Sequence, residues 1–442
     1  MTGMATKISR LVVRDIRFPT SRTLAGSDAI NTDPDYSAAY VVLETDDGHS
    51  GYGLIFTIGR GNDICCRAVE AMSHLVVGRD LDEITANLGR FCADLRADSQ
   101  LRWLGPEKGV IHMAAGSIVN CVWDLWARRE GKPVWRLACD LSPERFVDTL
   151  DLRYLSDVLT REEALAIVRR NYASRHERIA YLERHGYPAY STSAGWLGYS
   201  DEKLATLCRE ALAQGFKSLK LKVGVNLEDD IRRCRIARDT VGQEVRIMID
   251  ANQIWEVDQA IEWVNRLAVF KPLFIEEPTS PDDLFGHRKI KQALHGVKVA
   301  TGEHCHNRIM FKQLIANDAI DIVQVDACRL AGLSEMLTVG LMAAKFGKPV
   351  CPHAGGVGLC EYVQHFSMID YVMLSADLEG RMAEYVEHLH EHFEDPCVIR
   401  DGSYVAPSQP GYSIKMREAS LARYEYPTGS EWNGTDAARC TT

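Results

Sequence analysis

The sequence predicts an α/β protein: a (β/α)8-type barrel with an N-terminal α+β capping domain that the C-terminal tail completes. Three observations carry this expectation. Six short apolar runs between residues 218 and 354, reading SLKLKV, RIMIDAN, LFIEEP, VATGEH, DIVQVDA and PVCPHA, carry a charged residue at or near their ends. Those charged tips, Lys222, Asp250, Glu276, Glu303, Asp326 and His353, recur every 23 to 28 residues, the length of a strand, a helix and two loops. The segments between them carry helical apolar spacing, as in DQAIEWVNRLAVF over 258–270. Consecutive parallel strands with right-handed crossovers close into a barrel whose strand ends share one rim. Six residues distant in sequence then converge on one site.

The capping domain is expected over residues 1–140. Residues 8–18 alternate as ISRLVVRDIRF, and strands also read at 38–44 and near 51–56, joined by a turn at Asp46-Asp47-Gly48. The polar loop 19–36 is long for a connector, which leaves two readings open, a functional loop or a plain surface loop. Helices follow at 63–77, 82–95 and 110–129; the last is apolar nearly all round, so it should lie buried between layers. It stops at Gly131-Lys132-Pro133.

The barrel is expected over 141–394, entered through a charged, helix-prone stretch at 150–189. Its first strand reads at 189–193, and the helix 201–214 ends at Gly215. Two runs, 371–375 and 382–386, compete for the last barrel strand. The tail, 395–442, should pack back on the capping domain, with its final residues disordered.

Bulk properties exclude several classes. The 442 residues are 46% hydrophobic and 25% charged, as in an ordinary globular protein, and the formal charge of −10 argues against a nucleic-acid partner. The N-terminus lacks a signal-peptide core, and no uncharged stretch is long enough for a bilayer, so no membrane partner is expected. Thirteen cysteines without a CxxC pair read as reduced, mostly buried thiols of a cytoplasmic protein.

The tips define the chemistry. Asp250, Glu276 and Glu303, brought together, repel one another unless a divalent cation sits between them, and an all-oxygen site with open positions suits Mg²⁺. Glu277 points the other way by strand alternation and is expected outside the metal shell. Lys220 and Lys222 share one strand face, where mutual repulsion should favour a neutral, proton-accepting amine. Asp326 beside His353 makes an acid–base dyad. A base on either side of a metal-bound ligand suits proton abstraction next to a carboxylate. His388, His390 and His392 alternate, so they could share a strand face, as a second metal site would need. The glycines 355, 356 and 358 form no nucleotide fingerprint and suit close backbone approach to a ligand.

These motifs, KxK at Lys220 and Lys222, IDAN at 250–252, IEEP at Glu276, TGEH at Glu303 and the Asp326–His353 dyad, together resemble the enolase superfamily, mandelate racemase branch. GKPVWRL at 131–137 is similar to the end of that family's capping domain. The segments ATGEHCHNR, CPHAGGVGLCE and YVEHLHEHF resemble its L-fuconate dehydratase group. The resemblance implies a Mg²⁺-dependent hydro-lyase that converts L-fuconate to its 2-keto-3-deoxy acid, with an acid sugar as small-molecule partner and a homo-oligomeric assembly. It implies that Asp250, Glu276 and Glu303 bind the metal and that Lys222, with Lys220 beside it, takes the α-proton. His353, oriented by Asp326, would then assist loss of the β-hydroxyl. Asn252 and Glu384 would touch substrate, and Gly26, Ser27, Asp28 and Tyr36 would cap the barrel mouth. A racemase or epimerase of another acid sugar, or a non-catalytic carboxylate binder, would carry much of the same pattern.

Overall fold

The structure, a computed structural model, describes residues 6–433. The final residues, expected to be disordered, lie outside this range. Strands β1 (Ile8–Arg17), β2 (Ser37–Thr45) and β3 (Ser50–Thr57) form an antiparallel meander in the order β1-β2-β3. The helix Gly109–Arg129 lies between this sheet and the rest of the chain. It is long and apolar enough to cross a membrane, yet 89% of its apolar window is buried inside the protein. Polar contacts fix its far side: Trp123 Nε1 donates to Ser334 Oγ at 3.1 Å, and Asn120 Nδ2 donates to the Ala327 carbonyl at 3.1 Å. The helix read at 82–95 is two, Leu81–Ala86 and Leu88–Leu95. Asn87 leaves helical geometry between them, and its side chain caps the second by accepting from the Arg90 N–H at 3.1 Å.

The barrel strands run parallel in sequence order: β4 (Tyr187–Ser191), β5 (Ser218–Lys222), β6 (Arg246–Asp250), β7 (Pro272–Glu276), β8 (Lys298–Thr301) and β9 (Ile322–Val323). The next stave, residues 349–353, is joined to β9 by a bridge between Val323 and Val350 and by the His353 N–H donating to the Val325 carbonyl at 3.0 Å. β10 (Ala383–Tyr385) completes the circuit by pairing with β4. The seam between these last two staves is irregular, bridged by the Glu384 N–H to the Pro352 carbonyl at 3.4 Å. The competing run at 371–375 is helical, a π-turn over Asp370–Ser375 that extends the helix Leu359–Ile369. A short buried apolar run does not distinguish these two states by periodicity.

Register sets the site. Lys222 pairs with Asp250, and Asp250 with Glu276, so three charged tips stand at one level of the rim. Beneath them Tyr190, Met248, Phe274, Ala300, Ile322, Cys351 and Met382 form a separate apolar cluster that plugs the barrel. After Glu394 the chain divides its contacts. β11 (Ile399–Arg400) and β12 (Ser403–Tyr404) form a hairpin that pairs with β4, whereas Gly411 bridges to Pro133 and Glu425 to Ile16.

Candidate active site

Asp250, Glu276 and Glu303 each offer a carboxylate oxygen, and these atoms lie within 4.8 Å of one another. Asp250 and Glu276 end β6 and β7, both fully buried; Glu303 stands just beyond β8. Burial and the neighbouring Asp250 charge hold Glu276 well above the usual carboxylate range. Burial also disfavours charge at Glu303, but His353, His304 and Lys222 outweigh it and hold this acid well below that range. Glu303 Oε2 is buried without a hydrogen-bond partner. Three crowded acids with one orphaned oxygen fit a hard divalent cation.

The lysines depart from expectation. Lys220 Nζ lies 2.8 Å from Glu276 Oε1, 2.8 Å from Glu384 Oε1 and 3.3 Å from Asp250 Oδ2. Lys222 Nζ lies 2.6 Å from Asp250 Oδ2. Burial opposes charge on both amines, but these carboxylates win and raise both above the ordinary lysine value. The carboxylates facing the pair, rather than lysine–lysine repulsion, thus dominate its electrostatics. The strand argument counted one pair and omitted the acids facing it.

On the other flank of the acidic strands, His353 Nδ1 stands 2.7 Å from Asp326 Oδ2, and its Nε2 stands 3.4 Å from Glu303 Oε2. Burial favours the neutral ring, but Glu303 and Asp326 hold it protonated, up to about 10. Asp326 is locked in turn, since its Oδ1 accepts from the Cys328 and Arg329 N–H groups, each at 2.7 Å. Glu384 accepts from Thr192 Oγ1 at 2.5 Å and from the Ala354 N–H at 2.8 Å.

A cavity of about 230 Å³ opens above this array. Gly26, Asp28, Tyr36, Lys222, Asn252, Glu303, Asp326, His353 and Glu384 line it; Lys220, Asp250 and Glu276 lie beneath, and Ser27 does not reach it. Ser27 Oγ donates instead to the Thr32 carbonyl at 3.3 Å. Asp28 accepts from the Ile30 and Asn31 N–H groups at 2.8 and 2.6 Å, which braces the loop. Asn252, at φ 45°, presents a buried amide oxygen with no partner.

Sequence reasoning missed several neighbours. Gln324 Nε2 donates to Glu276 Oε2 at 2.8 Å, and strand alternation from Asp326 could have found it. Glu277 is absent from the three-acid set, but His304 Nδ1 bridges it to Glu303 at 2.9 and 3.2 Å. Trp196, Phe56, Ile58, Arg60 and Arg329 also line the cavity, and nothing in their local sequence announces it. His388, His390 and His392 diverge: His388 stacks on Tyr36, His390 meets Glu361, and His392 stacks on Phe18. They share no face because residues 390–392 form a 3-10 turn rather than a strand.

Residues 203–420 match the family model described as enolase C-terminal domain-like. An L-galactonate dehydratase of Hypocrea jecorina is 53% identical over 432 residues, 96% of each chain. The chain belongs to the enolase superfamily. The crystal structure of human mitochondrial enolase superfamily member 1 is 53% identical, covers 97% of this chain and 99% of that one, and superimposes with a TM-score of 0.96. A racemase from Streptomyces coelicolor A3(2), solved with bound magnesium, shares the fold at 23% identity and a TM-score of 0.75, covering 95% and 99% of the two chains. The overall fold of this superfamily member is thus that of its solved neighbours.

Proposed function

We propose that this protein is an acid-sugar dehydratase that uses Mg²⁺ and converts L-fuconate to 2-keto-3-deoxy-L-fuconate and water. The observation that carries the reading is the clustering of Asp250, Glu276 and Glu303 with Lys222 on one flank and the Asp326–His353 dyad on the other. The 53% identity to a protein named L-galactonate dehydratase supports the same class, because L-fuconate is the 6-deoxy form of that sugar acid.

Asp250, Glu276 and Glu303 would hold the cation, which would supply positive charge to offset that building on the substrate carboxylate and would take up the Asp250 charge that otherwise favours a protonated Lys222. Lys222 Nζ, facing the cavity, accepts the α-proton. The electron pair of that C–H bond moves into the enediolate and then expels the β-hydroxyl. His353 Nε2 donates the proton that lets the hydroxyl leave as water, while Asp326 keeps the ring oriented. The resulting enol tautomerises to the 2-keto acid. Lys220, buried among Glu276, Glu384 and Asp250, steadies those charges from below. Asn252 and Glu384 contact substrate, and the loop bearing Gly26, Ser27, Asp28 and Tyr36 covers it. The described cysteines are free and buried, in keeping with a reducing compartment, the cytoplasm in this reading, and the enzyme is taken as a homo-oligomer.

The test is keto-acid formation from L-fuconate, L-galactonate and other six-carbon sugar acids, with Mg²⁺ and with EDTA. Product that disappears with EDTA and in Lys222→Ala supports the reading; silence across the whole panel sinks it. A racemase or epimerase, the second reading, would exchange the α-proton in deuterated water and form no keto acid.

A further inference from the structure

Next to the loop that carries His353, two thiols, an imidazole and a carboxylate meet away from the cavity lining. Cys360 and Glu361 sit on the first turn of the helix Leu359–Ile369, both fully buried. His390 and Cys397 come from the chain after β10. One donor atom each from Cys360, His390 and Cys397 lies within 4.8 Å of the others. We propose that these three residues, with Glu361 as fourth donor, form a structural site for a thiophilic cation of the zinc class, separate from the three-acid site.

Three features point to a ligand rather than to packing alone. His390 Nε2 lies 2.7 Å from the Val386 carbonyl, to which it donates, leaving Nδ1 facing Cys397 Sγ at 3.5 Å. Fixing one ring nitrogen on a carbonyl presents the other as a metal donor. The 3.5 Å spacing is also the edge of a tetrahedron built with ordinary zinc–sulfur and zinc–nitrogen bonds, about 3.5 Å. Glu361 Oε2 is buried with no hydrogen-bond partner, although Oε1 of the same carboxylate lies 2.7 Å from His390 Nδ1. Without a cation, a proton between Glu361 and His390 holds the cluster together, and the cation would displace it. Tyr385 stacks on the His390 ring at 5.2 Å and fixes its plane.

The site would brace rather than catalyse. Cys360 Sγ contacts the Ala354 carbonyl at 3.5 Å, and the Ala354 N–H donates to Glu384 Oε2 at 2.8 Å. A cation there ties the helix start, the His390 turn and the Cys397 segment behind the His353 loop. Thiolate donors select zinc over magnesium, so the two sites would not compete.

The test titrates chelator-treated, thiol-reduced full-length protein with Co²⁺, then displaces it with Zn²⁺. The three-acid site has no sulfur, so a sulfur-to-cobalt charge-transfer band reports only on thiolate ligation. The expected result is one equivalent of Co²⁺ with that band, bleached by Zn²⁺ and lost in Cys397→Val and Cys360→Ala, but kept in Cys234→Ala. Far-ultraviolet circular dichroism confirms that each variant is folded, and the wild-type titration stands without them. A folded wild type that shows no band overturns the proposal, as does a band that survives both substitutions. A Cys360–Cys397 disulfide that takes up no metal after reduction overturns it too.

Discussion

Tyr36 lies over Gly26 so closely that a β-carbon on Gly26 would stand 2.2 Å from the Tyr36 hydroxyl. The ring cannot easily retreat, because Phe56 meets its edge at 5.1 Å and His388 stacks at 5.5 Å. Both residues line the cavity, so the packing of the long first loop and the shape of the substrate space are one problem.

Gly26→Ala should therefore act on binding before chemistry. Gly26 has φ +85°, a conformation that costs a residue with a side chain about 1 kcal/mol, and the added carbon displaces Tyr36. Steady-state kinetics should show KM raised about tenfold, equivalent to about 1.4 kcal/mol, with kcat changed much less. An unchanged KM would detach this loop from substrate contact.

Asp326→Asn separates the two halves of the reaction. The two N–H groups that Asp326 Oδ1 now accepts can still be accepted by an amide oxygen, so the turn should survive. The amide nitrogen facing His353 Nδ1 would stabilise the neutral ring and leave Nε2 a poor acid. Keto-acid kcat should fall by about 10²- to 10⁴-fold, while Lys222 still exchanges the α-proton in deuterated water. Equal loss of both rates would mean that the dyad also governs proton abstraction.

The strand tips were legible because an apolar run of four to five residues ending in an acid has few other readings inside a βα repeat. Lys222, Asp250 and Glu276 fall on adjacent strands in one register, as a shared rim requires. What such reading lacks is the partner of each tip. The Lys220 amine meets Glu276, Glu384 and Asp250, from three different staves, and its charge state follows from all of them. Thr192 and His304 act through contacts across staves that no local pattern encodes. The last strand was ambiguous for the same reason: residues 371–375 are apolar enough for a stave, but Asn171 Nδ2 caps the Met373 and Leu374 carbonyls at 3.1 and 2.7 Å in a helical turn.

His365 should set part of the acid sensitivity. It is fully buried, accepts from the Trp135 N–H through Nδ1 at 3.2 Å, and pairs Nε2 with Ser413 Oγ at 3.1 Å. Burial pushes it down to about 3. The unfolded chain takes up a proton below about 6.5 while the folded chain refuses it, so this contribution is complete above that pH and declines from there toward pH 3. Urea unfolding from pH 7.5 to 4.5 should show stability falling by up to about 1.4 kcal/mol per pH unit from this group. His388, pushed down to about 4, adds in the same direction. The difference between wild type and His365→Gln isolates the His365 share; identical slopes would refute it.

The same buried-charge logic locates the lock between cap and barrel. Arg308, fully buried, sits 2.8 Å from Glu107, 3.0 Å from Glu335 and 3.4 Å from Asp151. Glu335 also meets His112 Nε2 at 2.6 Å and Arg96 at 3.4 Å. His112 belongs to the helix against the cap sheet, whereas Arg308 and Glu335 begin barrel helices, so the cluster spans the two layers. Arg308→Leu removes the one cation that all three carboxylates share and leaves them to Arg96, Arg153 and His112 at the cluster's edges. Stripping one partner from a buried ionic cluster costs about 3–5 kcal/mol, far more than the added apolar contact returns. Thermal unfolding should shift down accordingly, while kcat measured well below the new Tm stays near wild type, because none of these groups lines the cavity. A Tm within a degree of wild type would show that the cluster relaxes by taking up protons. In that case the loss should reappear above neutral pH, where the carboxylates must ionise together.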